Sequence, residues 1–256
     1  MRPHRTLPSG LVINADDLGY SDQVNDAVFD LMAEGRITSA TMLANGQAIL
    51  DAARRCKGFP QCSFGVHLCL TELMPISQAG RELPFVAGNG QFDSRCFAAT
   101  RASLAVYHGI FIEWCEQIKF LRELGVPVSH IDSHHHVHTR PWLFPVLKRV
   151  QVAARIRKVR ASLNLYLEEE HKPGWRLLAQ KRLFNCALRL CYATSTTDIF
   201  TNFRWFEMLR SSLSLGGKTV ELMTHPGSAG YQRETELLRS SNFDSLRPLL
   251  INYNKL

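Results

Sequence analysis

Two spacings of apolar residues alternate along the chain. Short, nearly uninterrupted apolar runs recur at 11–13, 37–43, 63–70, 159–163, 196–200 and 218–225, and another leads through Val126, Val128 and Ile131. Each closes on polar residues or on Gly and Pro, the pattern of a strand buried on both faces. Between the runs the spacing changes to three and four residues. Val24, Ala27, Val28, Leu31 and Met32 predict a helix that Ser21 or Asp22 caps and Gly35 stops. Further helices are expected over 48–55, 102–124, 205–213 and 233–240. Another starts at Pro141, with Trp142, Phe144, Val146, Leu147 and Val150 as its apolar stripe. Residues 71–99 have weak periodicity and read as a long loop or lid. Residues 164–193 read as a basic, partly amphipathic insertion.

Strand and helix thus alternate about seven times, which predicts an α/β fold with a parallel sheet. Asp16/Asp17, Asn45, His67, Asp132/His134 and His225 all fall at or near the carboxyl ends of successive runs. In a parallel barrel those ends meet on one face, where active sites sit. The expectation is therefore a distorted, TIM-barrel-like fold of about seven strands, forming one domain over 1–256. A doubly wound sheet is the alternative.

Composition narrows the class. A hydrophobic fraction of 45% and a charged fraction of 21% are ordinary for a globular protein. The formal net charge is +7, with the excess concentrated at 148–160 and 172–189. Such patches suit an anionic substrate, a membrane surface or nucleic acid, or simply form a solvated face. Seven cysteines without a C-x-x-C spacing point to free thiols in a reducing compartment. Cys69, Cys115, Cys186 and Cys191 have apolar neighbours and are expected in the core. The first residues lack the apolar stretch of a signal peptide, and no run approaches the roughly 18–20 residues that span a bilayer. A cytoplasmic protein is expected.

The chemistry is concentrated at 129–138, where His130, His134, His135, His136 and His138 accompany Asp132. Imidazoles at a strand exit with a carboxylate nearby suit a divalent metal site. A solvated polar turn is the bland reading. Asp16 and Asp17 are adjacent, and two such carboxylates reach a common centre only where the strand ends and the backbone turns. Ionising both there requires a cation between them, or a raised pKa that makes one a base. His67 within Val66-His-Leu68 is, taken alone, more typical of a core histidine. One carboxylate and two imidazoles would leave coordination positions open for water, the pattern of a hydrolytic metal. No G-x-S-x-G elbow, phosphate-binding loop or dinucleotide fingerprint occurs.

Val12-Ile-Asn-Ala-Asp-Asp-Leu-Gly19, Thr38-Ser39 with Asn45-Gly46, Gly65-Val-His-Leu68 with Leu70-Thr71, the block His130–His138 and Thr224-His-Pro-Gly227 resemble the YdjC-like carbohydrate deacetylases, which include chitooligosaccharide deacetylases. The resemblance implies a TIM-barrel-like fold and removal of N-acetyl groups from sugars with one divalent metal ion, magnesium or zinc. It implies Asp17, His67 and His134 as metal ligands, Asp16 as catalytic base and His225 as the acid that protonates the departing amine. Asn45, Asp132, His136 and His138 are then the substrate-binding candidates. Leu18 stands where the family usually has Phe, and 164–193 match poorly.

Two rival readings accompany this one. A metal-dependent hydrolase of another ester, such as a phosphoester, would use the same scaffold, but two-metal chemistry usually needs more carboxylates. A basic binding protein would lay Trp175, Leu177, Leu178, Phe184 and Leu188 on a membrane surface through 172–189. No nucleic-acid motif is present. The partners expected are an N-acetylated sugar, peripheral membrane contact through 172–189, and a second copy in a homodimer.

Overall fold

Six of the apolar runs become strands buried at most positions, as a parallel sheet covered on both faces demands. The computed structural model describes residues 7–167, 172–211 and 213–256. Its strands are β1 (Gly10–Leu18), β2 (Ser39–Met42), β3 (Ser63–Leu68), β4 (Val128–Ser133), β5 (Ile199–Asn202) and β6 (Thr219–Thr224). They form one sheet in the order β4-β3-β2-β1-β6-β5, with every pair parallel. Their carboxyl ends therefore share one edge of the sheet.

The strand expected at 159–163 does not form a ladder. Val159 makes one parallel bridge to Ile131, and Lys158 one to Ser195. The Ile131 amide donates to Lys158 O and the Arg160 amide to Ile131 O, while the amides of Val159 and Asn164 donate to Ser195 O and Phe200 O. These backbone groups are divided between the β4 edge and the chain entering β5, so neither pairing extends. The sheet has six strands where about seven were expected, with irregular chain bridging its two edges.

The helices follow the three-and-four spacing. α1 (Asp22–Ala33) begins at Ser21, whose hydroxyl accepts from the Val24 amide. α2 (Ile49–Arg55) follows β2. Residues 71–99, expected as a loop, contain two short helices, α3 (Gln78–Arg81) and α4 (Ser94–Ala99). Leu73, Leu83, Phe85, Phe92 and Phe97 of this stretch are buried. Glu113 of α5 (Leu104–Glu123) pins the stretch by accepting from the amides of Ile76 and Ser77 and from Ser77 Oγ. Scattered aromatic anchors hold it, which is why it lacks a periodic stripe.

α6 (Phe144–Ala154) carries the stripe predicted after Pro141 and buries Val146, Leu147 and Val150. α7 (Trp175–Leu190) occupies much of the expected insertion and buries only Phe184, Asn185 and Leu188. Cys186 and Cys191, expected in the core, are therefore exposed. α8 (Phe203–Leu209) follows β5, and α9 (Gln232–Arg239) and α10 (Ser241–Asp244) follow β6. Among the described residues no helix is long and apolar enough to cross a membrane.

Candidate active site

The end of β1 breaks strand alternation. Asp17 adopts φ 63, and the β1–β2 register shifts between Ala15 and Leu18. Aspartate enters this left-handed region more readily than most residues. Asp17 Oδ1 lies 3.2 Å from His67 Nε2, on β3, and 2.8 Å from His134 Nδ1, just past β4. His135 and His136 follow with φ 52 and φ 53, a tight reversal that holds His134 at the sheet's carboxyl edge. The donor atoms of Asp17, His67 and His134 all lie within 4.8 Å of one another. One carboxylate oxygen and two imidazole nitrogens from three separate elements fit a divalent cation.

A buried charge network backs this trio. His67 Nδ1 donates to Asp132 Oδ1 at 2.7 Å, and Thr41 Oγ1 donates to Asp132 Oδ2 at 2.9 Å. Arg160 has no exposed surface and donates to Asp16 through two nitrogens, at 2.6 and 2.7 Å. It also reaches Asp132 at 2.7 Å and Glu221 at 2.7 Å. Tyr253 donates to the other Glu221 oxygen at 2.5 Å. Burial alone would raise Asp16, but the Arg160 guanidinium outweighs it and holds this carboxyl well below the usual range. Burial would likewise depress His67, but Asp132, Asp17 and Asp16 hold its imidazole up at about 10. At Glu221 burial wins, and its pKa is raised despite Arg160 and Tyr253.

His225 closes the other side of β1. Its amide donates to Glu234 at 2.8 Å, its ring lies 4.4 Å from Tyr231, and its buried Nδ1 faces Glu234 Oε2 at 3.8 Å, beyond hydrogen-bond reach. Burial lowers its pKa, but Glu234, Asp16 and Asp17 together raise it above the ordinary value. His136 is the opposite case. Burial and then Arg160 push it down to about 3, and its buried Nδ1 is also unpartnered. Asn45 donates to Met74 O and leaves Oδ1 unpartnered.

Two expected substrate contacts do not have the surface for that role. Asp132 is fully buried and fastened to His67, Thr41 and Arg160. His138 is also fully buried, between Ser133 Oγ at 2.6 Å and Arg160 O at 3.2 Å. The polar run at 129–138 does not disclose which of its side chains face inward. Arg160, Glu221, Glu72 and Tyr253 went unrecognised in the sequence. The available signal was a charged residue inside an apolar run, since buried charges are almost always paired. Arg160 belongs to this core rather than to a basic outer face.

Residues 10–247 match the family described as YdjC-like protein. A chitooligosaccharide deacetylase of Proteus mirabilis is 30% identical over 246 residues, covering 89% of this chain and 88% of that protein. One from Escherichia fergusonii is 29% identical over 217 residues, covering 84% and 81%. A carbohydrate deacetylase of Geobacillus stearothermophilus is 37% identical over 158 residues, 61% of this chain and 62% of the relative's length. An Enterococcus faecalis crystal structure, provisionally described as a cellobiose-phosphate cleavage protein, superposes with a TM-score of 0.76 at 23% identity. It covers 97% of this chain and 99% of its own, and shares the fold. With its family match running from the first strand to beyond the last, the chain belongs to the YdjC-like protein family.

Proposed function

We propose that this chain removes the N-acetyl group from an N-acetylated sugar by hydrolysis, using one divalent cation, zinc or magnesium, held by Asp17, His67 and His134. The convergence of those three donors beside a clamped carboxylate, with His225 on the other side of β1 backed by Glu234, carries the reading. The names of the similar proteins support a sugar substrate. A cation there would acidify a bound water and polarise the acetyl carbonyl, which a base as weak as Asp16 requires.

Asp16 receives the water's proton. Arg160 and Asn14 occupy three of its roughly four acceptor sites, which fixes its orientation and leaves about one free. His225, with its raised pKa, donates a proton to the leaving nitrogen. Asn45 and His136, both half-buried, are the substrate-binding candidates that remain. The irregular chain at 157–164 supports reading the six-stranded sheet as a barrel closed by a broken seventh member. Arg160 already neutralises Asp16 and Asp132, which leaves little carboxylate charge for a second cation and disfavours a two-metal phosphoesterase.

The test uses three variants, read by cation binding and by acetate release from N-acetylated oligosaccharides. Asp17→Asn and His134→Ala should lose both. Asp16→Asn should keep the cation and lose turnover. Undiminished acetate release from chelator-treated protein would refute the reading.

Peripheral contact with an anionic membrane is the further partner we propose. Trp175, Leu183 and Leu190 are 74%, 71% and 78% exposed on one side of α7, alongside exposed Arg176, Arg182 and Arg189. No acidic residue occurs between 172 and 191, although Glu168–Glu170 precede the helix in sequence. Leu178, Phe184 and Leu188 face inward, so of the apolar face read from the sequence only Trp175 and Leu177 are exposed, and Leu183 and Leu190 stand in for the rest. Vesicles containing phosphatidylserine should sediment the protein, and Trp175→Ala with Leu183→Ala should abolish this. The buried free thiols of Cys56, Cys62 and Cys69 support a cytoplasmic setting.

A further inference from the structure

The two histidines facing Asp17 are each held at both ring nitrogens. His67 turns Nε2 to Asp17 and Nδ1 to Asp132. His134 turns Nδ1 to Asp17 and Nε2 to Glu72 Oε2, at 2.9 Å. Glu72 stands just past β3, and its side chain is 41% exposed. Tyr20 donates to its second oxygen, Oε1, at 2.9 Å. The Cys69 thiol donates to its carbonyl at 3.0 Å. The residue is thus fixed at both backbone and carboxylate before anything binds.

We propose that Glu72 is a positioning residue of the cation site, the carboxylate that backs His134 as Asp132 backs His67, with Tyr20 holding it in place. The inference rests on Asp17, His67 and His134 being the ligand set. A carboxylate accepting from the far N–H of an imidazole fixes the tautomer whose near nitrogen is free to bind. It also fixes the ring's orientation and makes that nitrogen more basic. Glu72 meets the edge of the ring opposite Asp17, so it acts through His134 and not as a fourth member of the same trio. The two supports differ in one respect. Asp132 is sealed in the core, whereas Glu72 belongs to the partly exposed start of the lobe at 71–99. The outer histidine can therefore be loosened without disturbing the sheet.

Chelator-stripped full-length protein is titrated with zinc in competition with a chromophoric chelator, and separately with cobalt to record its visible spectrum. Glu72→Ala should weaken zinc binding by roughly 10–100-fold and shift the cobalt bands. Glu72→Gln, which keeps an acceptor oxygen without the charge, should fall between, and Tyr20→Phe should change both readouts in the same direction by a smaller factor. Wild-type affinity and a wild-type cobalt spectrum in Glu72→Ala would overturn the role of Glu72 alone. Failure of the wild-type protein to bind either metal, or undiminished binding by Asp17→Asn, would overturn the ligand set and this inference with it.

Discussion

Replacing Arg160 by methionine tests whether the buried charge network holds the candidate site together. The substitution keeps an unbranched chain of similar length and removes a cation that serves Asp16, Asp132 and Glu221. Asp132 would keep His67 and Thr41, and Glu221 would keep Tyr253. Asp16 would keep Asn14. The loss is therefore closer to one uncompensated buried pair than to three. Breaking such a pair costs about 3–5 kcal/mol, and at ~2.1 cal/mol/K of unfolding entropy per residue this lowers the midpoint by roughly 6–9 °C for a chain of this length.

The deficit should also depend on pH, with a definite sign. In the wild type Asp16 is held below its ordinary value, so it contributes stability above about pH 4 that is lost as the pH falls. Without Arg160, burial is opposed at Asp16 only by the weaker pull of His67 and His225 and at Glu221 by Tyr253, so both carboxyls move up. Raised carboxyls penalise the folded state at high pH, and the penalty shrinks as they protonate. Urea unfolding of metal-free protein at pH 8 and pH 5 should show the gap between variant and wild type narrowing at the lower pH. A gap below about 1 kcal/mol, or one that does not move with pH, would refute the reasoning.

Two further outcomes follow from the histidines. His67 is held at about 10 in the metal-free protein, so a cation must displace its proton at any lower pH. Zinc affinity should rise at least tenfold per pH unit between about pH 6 and 9, and calorimetry in two buffers should count the protons released; a flat profile would exclude the ligand role. His225 is raised above its ordinary value of 6.5, and as a proton donor it should make kcat/KM fall as the pH climbs through its pKa. His225→Gln should lose about 10²–10⁴ in rate together with that alkaline limb; persistence of the limb would assign the proton to another group.

Much of the sheet was legible because buried parallel strands are written as continuous apolar runs, and their polar exits included Asp17, His67 and His134, the trio that the family resemblance then singled out. Arg160 was not legible in the same way. It closes a basic stretch in sequence, and its partner Glu221 is 61 residues away. Only the oddity of a single charge inside each apolar run hinted at the pair. Asp132 was misread because a strand exit shows that a carboxylate is near the site but not whether it points to the cavity or into the sheet. The 71–99 lobe was misread because its order comes from Glu113, on a helix further along, accepting from Ser77 and Ile76. The missing strand at 159–163 has strand-like composition, and what it lacks is a neighbour free to pair with it along its length.

His67 and Asp132 sit directly opposite each other in the β3–β4 pairing. Strand pairing therefore decides which imidazole nitrogen is fastened and which is turned toward Asp17. Slippage by one residue would send these two side chains to opposite faces of the sheet. A misthreaded chain could still bury its valines and leucines and pass for folded, yet it would not bring His67 to Asp17 and His134. Zinc uptake on refolding would then report alignment of the two strands more sharply than any measure of compactness.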